Sequence, residues 1–307
     1  MKLEYGKVFL GAATVALSTA MMLGAAQPAS AGAYGDDEET TEAPAPVPAA
    51  KAEAEVEEEE DEFLGFIPGD VTGLVTLISD YSFRGVSQTQ RDFALQGGVT
   101  WKPWAGLYVG AWGSSINFAQ SLNPPNCTPG TNGCDTEDTY LEQDFFAGWA
   151  GALGDLSYDT SATYLWYPAE AHWSYWEFAL KLAYNLGFMT PKAGLVWSPN
   201  YFGFADDGIY ASTGIAVPIP LGAAAKYVGL TVDGNFGYTW TDDEKDFGGD
   251  QLFIENDGDT AEQYIDWNVG LVVAVHKNIS IDLRYIDTNL NLRDGDARFV
   301  GGATFSF

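Results

Sequence analysis

Positive charge, histidine, cysteine and long apolar runs are what this chain of 307 residues has least of. Fourteen lysines and arginines stand against 43 aspartates and glutamates, a formal net charge of −29. Nucleic-acid phosphates need a basic face, so nucleic acid is excluded as a partner. Only two histidines are present, which leaves little material for general-base or metal chemistry. His276 falls in an expected short turn, and His172-Trp173-Ser174 is a His-x-Ser triplet whose serine has no orienting partner in sight. No glycine-rich loop of the strand-turn-helix kind occurs, because the glycines lie inside short alternating runs and their turns. No catalysed reaction and no cofactor is expected.

The one long apolar run is at the start, from Val8 to Ala26, preceded by Lys2 and Lys7 and followed by Ala29-Ser30-Ala31. This pattern reads as a secretory signal peptide over residues 1–31, with an uncleaved anchor helix as the alternative. Residues 32–62 follow with thirteen acids, several prolines and almost no large apolar side chain. Such a segment cannot bury enough surface to offset its ordering entropy, so it is expected to be a disordered acidic tail in the periplasm. Residues 63–307 carry 29 acids and 11 bases, a balance of −18 that belongs to the folded part itself.

That folded part has no apolar run of eighteen residues, which excludes a helical membrane protein. It has instead period-two alternation in segments long enough for a tilted strand to cross an outer membrane. The clearest run is Tyr264–Val275, where Ile265, Trp267, Val269, Leu271 and Val273 share one face and Asp266, Asn268 and Gly270 the other. The same split recurs in Leu156–Trp166, Trp176–Leu186, Tyr227–Trp240 and the two C-terminal runs. With Val71–Phe83, Phe93–Lys102, Leu107–Ile116 and the weaker runs Leu141–Ala150, Met189–Ser198 and Ile209–Val217, twelve strands are expected.

The links alternate between long or polar (Arg84–Asp92, Asn117–Tyr140, Thr241–Ala261) and short (Pro103–Gly106, Gly187–Phe188, His276–Asn278). An even strand count with long loops at one end and tight turns at the other describes a transmembrane, antiparallel, up-and-down β-barrel, an all-β fold. A soluble β-sandwich would alternate too, with the apolar face inside. Tryptophan and tyrosine near run ends (Trp101, Tyr164, Trp166, Trp197, Trp240) favour the barrel, where such side chains form interfacial belts.

The residues also carry a resemblance. SDYSFRGVSQTQRDFALQGGVTWKP from Ser79, GLYVGAWGSS from Gly106, EQDFFAGWAG from Glu142, LSYDTSATYLWYP from Leu156, YIDWNVG from Tyr264 and the final Phe307 resemble the Gcw_chp family, proteobacterial proteins labelled TorF-family porins. The likeness runs from about Val71 to Phe307, and the first motif is its most specific part. Where that family usually has a proline after the SQT segment, this chain has Asp92-Phe93-Ala94. The resemblance implies an outer-membrane barrel and leaves the solute open.

A barrel of twelve strands encloses a narrow lumen, so a few inward charges can set selectivity. By alternation the pore-lining candidates are Asp80, Arg84, Glu142, Asp144, Glu177, Lys181, Asp266, Arg284 and Arg298. Asp80 and Arg84 stand out as a lumen pair, since both belong to the specific motif and share inward parity, with the FRGVSQTQR link expected at the outer rim. Two outcomes are open: a constriction passing small hydrophilic solutes with some cation preference, or a salt-bridged lining whose charges satisfy one another. The expected partners are outer-membrane lipid, small hydrophilic solutes and, as a homo-oligomer, further copies of the chain. A non-conducting barrel with a structural, adhesion or receptor role is the competing reading.

Cys127 and Cys134 lie in the long link NPPNCTPGTNGCDTED, and export to an oxidising compartment makes a loop-pinning disulfide the expectation. No metal site is expected there, because no histidine is near in sequence. The acidic link from Thr241 matches no calcium-loop spacing and reads as solvated.

Overall fold

The computed structural model describes residues 68–117, 139–203, 207–241 and 263–307. Twelve antiparallel strands close on themselves. In chain order they are β1 (Asp70–Ile78), β4 (Ala94–Lys102), β5 (Leu107–Ser115), β6 (Leu141–Leu153), β7 (Leu156–Trp166), β8 (Tyr175–Tyr184), β9 (Thr190–Ser198), β10 (Gly208–Pro218), β11 (Gly229–Thr241), β12 (Gln263–His276), β13 (Ile279–Thr288) and β14 (Arg298–Ser306). The two-residue strands β2 (Ser82–Phe83) and β3 (Val86–Ser87) form a separate small hairpin inside the link from β1 to β4. Every barrel strand pairs with its sequence neighbours, and β1 pairs with β14 from Leu74↔Ser306 to Ile78↔Gly302. Phe307 completes that seam by exchanging both backbone hydrogen bonds with Gly73, at 2.8 and 3.0 Å. A closed sheet has no unpaired edge, which is the condition for strands to stand in hydrocarbon.

The alternation decides which side chains turn inward, and the structure decides that inward is the polar side. Along β8, Trp176, Phe178, Leu180, Leu182 and Tyr184 are exposed on the outside while Tyr175 and Glu177 are buried. Leu180 is 48% exposed, Leu195 51% and Leu283 54%, whereas Asp233 is 0% and Asp144 0%. A sandwich would show the reverse, so the arrangement is a barrel with its apolar face outward. Aromatic contacts run across the outer wall near the long-link end, with Tyr164 against Trp176 at 5.2 Å and Phe178 against Trp197 at 5.6 Å between ring centroids.

Two expectations need correction. The first run does not continue as a strand to Phe83; β1 ends at Ile78. Nor does the link that follows lie on the rim. Tyr81, Ser82, Phe83, Arg84, Ser87, Gln88 and Thr89 are all buried, because the chain turns into the barrel mouth, where Tyr81 packs on Trp112 and Phe83 on Phe202. The signal segment, the acidic tail, Cys127, Cys134 and the acidic link after Thr241 lie outside the described residues.

Candidate functional site

The inward link is a folded arm with its own internal wiring. Asp80 sits at its base, 4% exposed, and one carboxylate oxygen accepts from the hydroxyls of Ser87 and of Thr89, the latter at 2.9 Å. The other oxygen accepts from Arg298 Nε on β14 at 2.5 Å. Arg298 donates further to the carbonyl of Gly85 and to Ser82 Oγ, both at 2.9 Å. Tyr81 and Gln88 close the small hairpin through a backbone bond of 2.7 Å, and Asn117 at the end of β5 donates to the Gln88 carbonyl at 2.9 Å. Charged groups bound this way inside a low-dielectric mouth make strong contacts and are costly to strip of partners.

At the tip the backbone must reverse sharply, and Arg84 (φ 48°) and Gly85 (φ 83°) both take left-handed conformations. Glycine does so freely and arginine at some cost. The result aims the Arg84 side chain across the lumen. Its Nη2 meets Glu177 Oε1 on β8 at 2.5 Å, and β8 lies five strands from β1 in one direction round the wall and seven in the other. The guanidinium also stacks over Phe83, Tyr201 and Tyr210, 4.8 to 5.0 Å from the ring centroids. Burial works against the charge of Arg84, but the Glu177 carboxylate together with Tyr201, Tyr175 and Tyr264 outweighs it and holds the arginine pKa above its ordinary value.

Other links of the same end meet the arm. Phe202, in the link from β9 to β10 and also left-handed at φ 51°, packs against Phe83, Tyr167 and Tyr175 with centroid distances of 6.2, 6.2 and 5.1 Å. Burial pushes the Tyr201 hydroxyl up to about 12, so it stays neutral at physiological pH. Tyr81 and Tyr167 both donate to Glu142, on its two oxygens, at 2.7 and 2.8 Å.

Farther toward the short-turn end a second set of charges runs along one wall. Asp233 on β11 receives Lys192 Nζ from β9 at 2.5 Å and Arg284 Nη1 from β13 at 3.3 Å. Arg284 also reaches Asn268 at 2.5 Å and Asp282 at 2.8 Å. Asp159 and Lys181 are opposite one another in the pairing of β7 with β8. Gly98, Gly110, Thr76 and Thr304 occupy the inward positions of β4, β5, β1 and β14, and the last two share a hydroxyl hydrogen bond of 2.8 Å. One wall is charged and the facing wall is small and neutral.

The structure therefore gathers Asp80, Arg84, Glu142, Asp144, Glu177, Asp266 and Arg298 at the long-link end, and puts Lys181 and Arg284 nearer the middle. Asp80 and Arg84 do not bond each other: Asp80 holds Arg298 and Arg84 holds Glu177. Parity could assign both to the lumen but could not foresee that a reversed tip sends Arg84 to the far wall. Lys192, Asp233 and Tyr201 were not among the candidates. Asp233 carries a legible signal, the wet parity of Thr231, Asp233 and Asn235, while Tyr201 sits in a link where alternation says nothing. The His-x-Ser triplet forms no nucleophile and base pair, since His172 Nδ1 faces Glu170 at 3.2 Å and Ser174 accepts from the Tyr167 amide at 3.1 Å. Among the described residues no group of three or more metal-ligating side chains comes together.

Residues 65–301 match a protein family described as "Bacterial protein of unknown function (Gcw_chp)". No curated protein matches the chain in sequence. Among solved structures, the chain is similar to the NanC porin at 8% identity, with 78% of this chain and 99% of that one covered and a TM-score of 0.45. It is similar to the KdgM porin at 7% identity, 77% and 98% coverage and a TM-score of 0.43. It is also similar to LpxR from Salmonella typhimurium at 11% identity, 77% and 99% coverage and a TM-score of 0.40. Likeness at this depth carries no argument about what the chain does, which rests on its own residues.

Proposed function

We propose that the chain, which belongs to the Gcw_chp family of bacterial proteins, is an outer-membrane barrel acting as a passive, non-enzymatic channel for small hydrophilic solutes. The observation that carries this reading is the inversion of the barrel, a closed sheet with apolar side chains outward and polar side chains, many of them charged, inward. The outward face suits hydrocarbon, and the inward face suits water and polar solutes. On this reading residues 1–31 direct export, residues 32–62 and the short turns lie in the periplasm, and the long links face outward.

Selectivity would follow from the inward charges. At the outer end Asp80, Glu142, Asp144, Glu177 and Asp266 stand against Arg84 and Arg298, which favours cations over anions. The lower ladder of Lys192, Asp233, Arg284 and Asp282 is balanced and suits solutes carrying both donors and acceptors. A non-conducting barrel, with a structural, adhesion or receptor role, is favoured by one observation: the outer mouth is filled by the arm and by Tyr201 and Phe202.

Planar-bilayer recording of the purified protein separates the two. Discrete, repeatable conductance steps are expected, and a correctly folded barrel that stays electrically silent would sink the channel. In a salt gradient the reversal potential is expected to show cation preference and to move toward zero in Asp266→Asn; an unchanged potential removes that carboxylate from selectivity.

A further inference from the structure

The arm of residues 79–92 has two kinds of anchorage, and they are not equivalent. Its base is tied locally: Asp80 binds Ser87 and Thr89 of the arm itself and Arg298 of β14, the strand that pairs with β1. Those bonds hold the hairpin together whatever happens across the lumen. Its tip is tied across the lumen by Arg84 on Glu177 of β8, while Tyr81, next to the base, reaches Glu142 of β6. The return to β4 passes through Gln90 (φ 53°) and Arg91 (φ 72°), two consecutive non-glycine residues in the left-handed region. Such conformations persist only where surrounding contacts hold them, and they are common at switch segments. A rigid unit, fastened near its root, strained at its return and latched at its tip, fills the mouth of a channel.

We propose that this arm is the gate of the lumen, closed in the present structure by the Arg84–Glu177 latch, and that passage requires the tip to leave β8 while the Asp80–Arg298 base stays made. The proposal rests on the channel reading above. Arg84 is the gating residue, because it is the arm's one charge that reaches the far wall; Arg91 at the return bonds instead to the link between β13 and β14, through the carbonyls of Arg293 and Asp296. Phe83 and Arg84 leave together, since the ring stacks beneath the guanidinium. When the latch opens, Tyr201 and Tyr210 lose the cation they now cage and are left lining the mouth, able to stack on the flat faces of a passing polar solute.

Breaking one member of a buried ion pair strands the other, so the closed state should lose ground to the open one by roughly a hundredfold. The experiment is single-channel recording of wild type, Arg84→Ala, Glu177→Gln and the exchanged pair Arg84→Glu with Glu177→Arg. Strand circular dichroism and heat-modifiable electrophoretic mobility certify that each variant is a folded barrel. The expected result is rare or small openings in wild type, frequent or larger ones in both single variants, and a return toward wild type in the exchanged pair. Single variants that conduct like wild type would overturn the gate and leave the channel standing. Silence of all four folded proteins would sink the channel reading and the gate with it. Should Arg84→Ala fail to fold, a second variant replaces residues 83–88 by a short glycine-serine turn, and unchanged conductance there overturns the gate equally.

Discussion

Asp80→Asn is the sharpest test of how the arm is built. The substitution keeps the shape and one carbonyl oxygen but removes the charge that Arg298 Nε meets at 2.5 Å inside a site where the two side chains are 6% and 4% exposed. Breaking a buried pair by neutralising one partner costs about 3–5 kcal/mol in general. Here Arg298 retains the Gly85 carbonyl and Ser82 Oγ, each at 2.9 Å, so the loss should be nearer 2–3 kcal/mol, roughly a 30- to 150-fold rise in local opening. The cost falls on the arm and not on the barrel, whose strands are held by a closed hydrogen-bond ladder. Native-state hydrogen exchange in detergent or nanodiscs reads this residue by residue. The amides of Gln88, bonded to the Tyr81 carbonyl, and of Asn117, bonded to that of Gln88, should exchange faster by that factor. Amides in β10 and β11 around Ser212 and Asn235 should not change. Unchanged protection at Gln88 and Asn117, or equal loosening of all strands, would refute the assignment of Asp80 as a local clasp.

Three further substitutions test the wall. Leu180→Arg puts a charge on the outward face near the middle of β8 and should cost about 2–4 kcal/mol of stability in lipid, whereas Ala179→Arg, one residue away on the lumen face, should fold with little loss; unfolding by denaturant in vesicles compares them, and equal penalties would contradict the assigned faces. Arg284→Met removes the centre of the lower ladder and leaves Asp233, 0% exposed, with Lys192 alone, for an expected loss of about 2 kcal/mol, read as a shift of the same unfolding midpoint; no shift would show that Lys192 suffices.

Strand count, approximate strand ends and the sorting of side chains onto two faces were all legible in the chain, because a strand alternates with period two and the links announce themselves with proline, glycine and polar runs. Leu156–Trp166 agrees end to end with β7. The likeness of SDYSFRGVSQT to a family was legible too, but not what the motif builds. Alternation is the same for a sheet with its apolar side in or out, so only closure of β1 on β14 shows that the carboxylates face a lumen. Residues beyond a strand's end obey no period, so nothing local predicts that Arg84 reaches Glu177, ninety-three residues along the chain and near the far side of the barrel. That contact is made by the curvature of the closed sheet, which brings distant strands within one side chain of an arm turned inward.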